Sequence, residues 1–150
     1  TPLGSSAASD VYKRQSSLVS DRASLPKYAK SGLNSHQIED YKRKLVRLME
    51  EERVYLDSDL TLPKLALMVD CSVNHLSQAV NSGFKMSFFD FLNSYRVREA
   101  KSMLIHQDSF SQSILDVSFA VGFNSNSAFY AAFKNATGQT PAQFRRNTLF

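Results

Sequence analysis

The chain has 150 residues, 43% of them hydrophobic, and a net charge of +4, enough to bury one core or two small ones and no sign of more than one functional unit. Cys71 is the only cysteine, which excludes a disulfide framework or a thiolate metal site within one chain and points to a reducing, cytoplasmic setting. No apolar run approaches the ~20 residues of a membrane helix, and no signal-peptide core is present.

The charge hints at a nucleic-acid partner, so its origin has to be traced. Residues 1–35 hold five basic and two acidic side chains, residues 36–70 six and eight, and residues 71–150 seven and four, which leaves +1 after residue 35. No acidic residue follows Asp116, so the field around the C-terminal stretch is positive and attracts phosphate.

Residues 1–35 contain nine serines, two prolines and no sustained periodicity, which predicts a disordered leader or linker. The opening TPLGSSAASDVYKRQ has no initiator methionine and reads like a cloning or assembly scar, so the chain is taken as a fragment of something longer. The basic residues here are expected to be solvated, with a DNA-touching arm as the alternative.

Ser35 is placed to cap a helix in which Ile38, Tyr41, Leu45 and Leu48 form an apolar stripe, with Lys42, Arg43, Lys44 and Arg47 outside it. The acidic run Glu50-Glu51-Glu52 follows. Paired carboxylates serve as acid and base in hydrolysis, but neighbours on a helix point in different directions, so this run is a solvated face.

Thr61 can cap a short helix carrying Leu62, Leu65, Ala66 and Val69, with Pro63 tolerated in its first turn. Asp70-Cys71-Ser72 turns the chain, and Ser72 caps a second helix in which Leu76 and Val80 point inward while Asn74, Ser77 and Gln78 point outward. Residues 87–106 then place Phe88, Phe91, Leu92, Tyr95, Ala100, Met103 and Leu104 at helical spacing, a rod of roughly 30 Å at the α-helical rise. That is near the ~34 Å of one duplex turn, so helices at its two ends could enter successive major grooves. The aromatic stripe is assigned to the core rather than to base stacking.

From residue 114 the pattern returns. Ile114, Val117 and Val121, then Phe129 and Phe133, follow three-and-four spacing with a break at Gly122-Phe123-Asn124-Ser125. Glycine allows the positive φ of a tight turn, and Asn124 or Ser125 can cap the next helix. The result is a helix-turn-helix whose second helix exposes Asn126, Ser127, Tyr130 and Lys134, a polar face suited to a groove of DNA. Gly138 closes that helix, and Thr140-Pro141 starts a last short one. Setting Ser72 against Ser125, Leu76 against Phe129, Val80 against Phe133 and Ser87 against Thr140 gives the same offset, 53, four times. Two helix-turn-helix units are therefore expected.

Gly122-Phe123, Ser127, Phe129, Phe133-Lys134, Gly138, Thr140-Pro141 and Arg145 stand in the order and spacing of the signature of the arabinose-regulator (AraC/XylS) family of bacterial transcription factors, which the chain resembles over residues 36–146. The FxxFLNxYRxxEAKxxL pattern at 88–104 resembles the family's linker, with Arg96 at its customary arginine. The resemblance implies an all-α fold of about seven helices, two homeodomain-like helix-turn-helix subdomains (about 36–86 and 107–150) joined by a long linker helix (about 87–106). The chain departs from the family in carrying Asn126 and Ala131 where lysine or arginine is common, Ser118 for alanine, and Asp70 and Lys85 where glycine is frequent. If those two turns need a left-handed backbone, each is strained by ~1 kcal/mol.

The expected chemistry is sequence-specific recognition of double-stranded promoter DNA without reaction. Asn and Gln can each donate to and accept from one adenine edge, so Asn74, Gln78 and Asn126 are the first candidates for base contact, followed by Ser77, Ser127 and Tyr130. Phosphate candidates are Ser72, Ser125, Lys134, Arg145 and Arg146, with the amides that open both reading helices. Arg96 either meets a phosphate or braces the subdomains. The resemblance further implies RNA polymerase as a partner and a separate sensing or dimerising domain ahead of this unit, in some relatives embedded in a membrane. No cofactor is expected. His36, His75 and His106 are scattered, and no HExxH, GxSxG or phosphate-cradling glycine loop occurs, so an enzyme is disfavoured. The competing reading is a helical protein-interaction module that has lost its grip on DNA, supported by the net +1 after residue 35.

Overall fold

The computed structural model describes residues 32–106 and 112–149. The expected leader therefore lies, up to residue 31, outside the described residues. Seven α-helices follow in order, with no strand among the described residues: α1 (Ser35–Glu50), a 3-10 turn (Val54–Leu56), α2 (Leu62–Val69), α3 (Val73–Phe84), α4 (Phe88–Ile105), α5 (Ile114–Ala120), α6 (Asn126–Thr137) and α7 (Pro141–Leu149). This is the all-α architecture expected.

Local side-chain chemistry sets most of the boundaries. The hydroxyls of Thr61, Ser72, Ser87 and Ser125 accept from the backbone amides of Lys64, His75, Asp90 and Ala128 at 3.1–3.3 Å, each satisfying one of the four amides a helix start leaves unpaired. Ser113 and Asp116 form a reciprocal capping box at the start of α5, and Thr140 and Gln143 form another across the first turn of α7. Helix ends use left-handed residues: Asp70 (φ 57) after α2, Lys85 (φ 59) after α3 and Gly138 (φ 77) after α6. Lys85 and Gly138 are themselves 53 positions apart, so the repeat read from caps and core residues extends to the helix terminators. Two details differ from expectation. Ser35 is the first residue of α1 rather than its cap, and the inward stripe runs through fully buried Leu45 and Met49, with Leu48 half-buried, because residues one turn apart share the helix face that packs into the first core.

Two hydrophobic clusters share α4. Leu45, Met49, Leu65, Val69, Leu76 and Val80 pack with Phe88, Phe91, Leu92 and Tyr95 of α4, whereas Val117, Val121, Phe123, Phe129 and Phe133 pack with Val97, Ala100 and Leu104. The handover falls between Tyr95 and Val97. Arg96 stands there, 7% exposed. A helix that feeds two cores must be apolar on more than one face, which is why α4 lacks the single stripe seen on α1.

Candidate nucleic-acid interface

Each helix-turn-helix is built from a short helix, a tight turn and a serine-capped second helix. In the first, Asp70 takes the left-handed turn and the Cys71 amide donates to the Ala66 carbonyl at 3.0 Å. In the second, Gly122 (φ 106) makes the turn and the Phe123 amide donates to the Ser118 carbonyl at 3.0 Å. Ser118 is fully buried and satisfies its hydroxyl by donating to the Leu115 carbonyl at 2.6 Å, so this buried polar atom carries no unmet bond.

Burial of Leu76, Ala79 and Val80 turns the opposite face of α3 outward. Asn74 is exposed there, and Ser77 and Gln78 are half-exposed. Asn81, exposed and one turn beyond Ser77, extends this face; its spacing from Ser77 and Gln78 was the available signal, and it belongs with the base-contact candidates. On α6, buried Phe129 and Phe133 leave Asn126, Ser127 and Lys134 exposed. Tyr130 is half-buried, edge-on to Phe129 with ring centroids 6.1 Å apart, so its ring supports the second core. Ser72 and Ser125 use their hydroxyl oxygens as caps, and a hydroxyl that accepts one amide still has its own proton to donate to a phosphate. Arg146 is exposed in α7.

Two arginines of the phosphate set are engaged by backbone carbonyls within the fold. The buried Arg96 donates from Nε to the Tyr55 carbonyl at 2.7 Å and from Nη2 to the Asp57 carbonyl at 2.9 Å, and its guanidinium lies 5.6 Å from the Phe123 ring centre. Burial pulls its pKa below the ordinary arginine value, opposed by the charge of Asp57. Of the two roles expected for it, the geometry is that of the brace, not of a phosphate ligand. Arg145 donates from Nε to the Leu104 carbonyl at 3.1 Å and from Nη1 to the Gln112 carbonyl at 3.3 Å. It thereby covers the Leu104 carbonyl in the last turn of α4, where a cation also suits the helix dipole, and these bonds draw its guanidinium toward the fold rather than toward a phosphate.

The loop before α6 makes a further contact that its sequence did not announce. Asn124 does not cap α6; its Nδ2 donates to the Ser58 carbonyl at 3.1 Å. A Cβ on Gly122 would lie 2.4 Å from the Tyr55 carbonyl oxygen and 2.8 Å from Arg96 Nε, so the turn of the second unit rests directly on the 3-10 turn of the first.

Residues 65–147 match the model of a helix-turn-helix domain family, more than half of the chain. The chain belongs to this AraC-type helix-turn-helix family. An uncharacterized HTH-type transcriptional regulator of Staphylococcus aureus (strain COL) is 35% identical over 92 residues, 61% of this chain, and YtdP of Bacillus subtilis (strain 168), described in the same words, is 29% identical over 90 residues. The matched segment spans only 12% and 11% of those relatives. Among solved structures, the C-terminal domain of AraT, a response regulator from Geobacillus stearothermophilus, superposes with a TM-score of 0.61 at 28% identity, covering 78% of this chain and 88% of that one. The C-terminal domain of the two-component response regulator yesN from Fusobacterium nucleatum does so with a TM-score of 0.61 at 28% identity, covering 71% and 98%. As a member of this family, the chain carries an AraC-type helix-turn-helix DNA-binding domain.

Proposed function

We propose that residues 35–149 recognise promoter DNA sequence-specifically, with α3 and α6 in successive major-groove segments of one duplex. The observation that carries this reading is the repeated build of the two helices. Each follows a tight turn, is capped by a serine at the same repeat position, and turns amide side chains away from its core. The 18 residues of α4 span about 27 Å at the helical rise, compatible with the ~34 Å between equivalent points of one groove. Asn74, Gln78 and Asn126 contact bases directly, with Ser77, Asn81, Ser127 and the Tyr130 hydroxyl beside them. Ser72, Ser125, Lys134, Arg146 and the opening amides of α3 and α6 hold phosphates and set the register.

Because the match covers so little of its curated relatives, the full-length protein is proposed to carry a sensing or dimerising region outside this unit and to act by contacting RNA polymerase. A cytoplasmic location of the DNA-binding part follows from that role; among the described residues no helix is long and apolar enough to cross a membrane. No catalytic role is assigned.

The competing interaction module draws on the net +1 of residues 36–150 and on the exposure of Leu67 (82%) and Phe89 (69%). Fluorescence anisotropy across a salt series separates the two. A DNA reader prefers one selected duplex over random sequence and loses affinity linearly in log salt; equal binding to every duplex, or none, leaves the interaction module.

A further inference from the structure

We infer that Arg96, Gly122 and Asn124 form a lock that holds the two helix-turn-helix units at one separation and twist, so that the spacing between the two halves of a binding site becomes a determinant of specificity. This rests on the proposed DNA reading for its consequence, though not for the lock itself.

Four observations converge on the segment 54–58. Arg96, at the handover between the cores, bonds the Tyr55 and Asp57 carbonyls of the first unit while facing the Phe123 ring of the second. Gly122 allows the second unit's turn to approach Tyr55 and Leu56 more closely than any residue with a Cβ would permit. Asn124 adds a bond from the second unit to Ser58. Leu56 packs against both hydrophobic clusters. A greasy contact alone would allow the units to slide, since apolar packing has no preferred direction. A planar guanidinium bonded to two backbone carbonyls has fixed geometry, and a buried polar group tolerates misalignment poorly because its bonds cannot be replaced by water. The lock is thus a device of orientation. Arg96 is a positioning residue and touches no base.

One base pair inserted between half-sites moves the second half by about 3.4 Å and turns it by roughly 35°. A rigid pair cannot follow, and loses the gain that comes from holding both halves at once.

The test has two arms. In the first, spin labels on Ser82→Cys and Asn135→Cys, both exposed and in a Cys71→Ser background, report the distance between units without DNA. A narrow distribution is expected, broadened by Arg96→Met and by Asn124→Ala; the second is a surface change that keeps the test open should Arg96→Met fail to fold. A broad distribution in the parent, or an unaltered narrow one in the folded variants, overturns the lock. In the second arm, affinity is measured for a selected site and for the same site with one or two base pairs inserted at its centre. The parent is expected to lose about 100-fold on insertion, the scale of a lost second attachment, and the variants less than about tenfold. Equal tolerance in parent and variants overturns the spacing claim. A narrow distance distribution with no preference for any duplex sinks the DNA reading and leaves the lock standing.

Discussion

Replacing Gly122 by alanine should be among the most damaging single changes available to this fold. Two costs add. The first is conformational: φ is 106, a region that side-chain-bearing residues occupy at a cost of about 1–3 kcal/mol. The second is spatial. The new Cβ would sit 2.4 Å from the Tyr55 carbonyl oxygen, 2.8 Å from Arg96 Nε and 3.1 Å from the Leu56 carbonyl oxygen. Two of those atoms are backbone, so relief requires moving the 3-10 turn, which lengthens the 2.7 Å bond from Arg96 to Tyr55. A hydrogen bond to a charged group contributes about 1.5–3 kcal/mol, and a buried one left unmade costs on that scale. The expected loss is therefore about 3–5 kcal/mol, a large share of the stability of a domain this size. Gly138→Ala is the matched control. Its φ is 77 and nothing lies within 4 Å of the added Cβ, so only the conformational cost of about 1–2 kcal/mol applies. Urea unfolding of both variants, followed by helical circular dichroism, measures the difference. Equal destabilisation would mean that the turn of the second unit does not press on the first, and the argument for a close-packed junction would be wrong.

Gln78→Ala should relax base preference at one position of a selected site and weaken binding there by ~1–3 kcal/mol; an unchanged preference in a randomised-site selection removes Gln78 from the reading face. Lys134→Ala should weaken all duplexes alike and lower the slope of log affinity against log salt by about 1, and a slope equal to the parent's would show that Lys134 meets no phosphate. Lys85→Gly should stabilise the protein by about 1 kcal/mol, because Lys85 holds a left-handed backbone (φ 59) at the position where the second unit uses glycine; a fall in the urea midpoint would mean that Lys85 makes an offsetting contact. The Cys71 thiol is pushed above its ordinary range first by burial, with Asp70 adding and Lys44 opposing. The folded state therefore holds this proton more tightly than the unfolded one, a stabilisation complete below the unfolded value of about 8.5 and lost as pH rises through the folded value. The urea midpoint should fall above about pH 8.5, less so in Cys71→Ala; identical pH profiles for the two would remove the thiol as the cause.

The parts legible from sequence are those written in local chemistry. Serine or threonine before an apolar run, a glycine or its substitute after it, and the three-and-four spacing of Leu76 with Val80 or Phe129 with Phe133 act within a few residues, so α2, α3, α6 and α7 could be placed by reading along the chain. The left-handed turns at Asp70 and Lys85 (φ 57 and 59) were expected only through the family resemblance, in which glycine is frequent at both places. What was not legible depends on partners far away in the chain that are backbone atoms. The carbonyls that bind Arg96 belong to Tyr55 and Asp57, 41 and 39 residues distant, and a carbonyl leaves no mark on residue identity. Arg145, bonded to the Leu104 carbonyl 41 positions away, looked like a phosphate ligand for the same reason. Asn124 looked like a cap because caps are local and its true acceptor, Ser58, lies 66 residues back. The 3-10 turn begins after Arg53 in a left-handed conformation (φ 54) with no glycine to announce it; there the 2.7 Å ion pair of Arg53 with Glu99 of α4 helps hold the strand of chain in place.

The junction also bears on how weakly charged reading helices could bind at all. The outward face of α3 offers Asn74, Ser77, Gln78 and Asn81, with no cation, and that of α6 offers only Lys134. Counterion release, the usual large source of affinity for DNA, scales with the number of phosphates neutralised, so each unit alone has little to draw on. Two weak attachments make one strong one only if the second can form without a large loss of freedom after the first. Flexibly tethered units would lose that freedom at every encounter. Units already fixed by Arg96, Phe123 and Asn124 have lost it during folding, where the gain from burying Phe129, Phe133 and their neighbours offsets it. Low charge on the reading face and a rigid joint between the readers are therefore linked features, and a chain with the first would be expected to need the second.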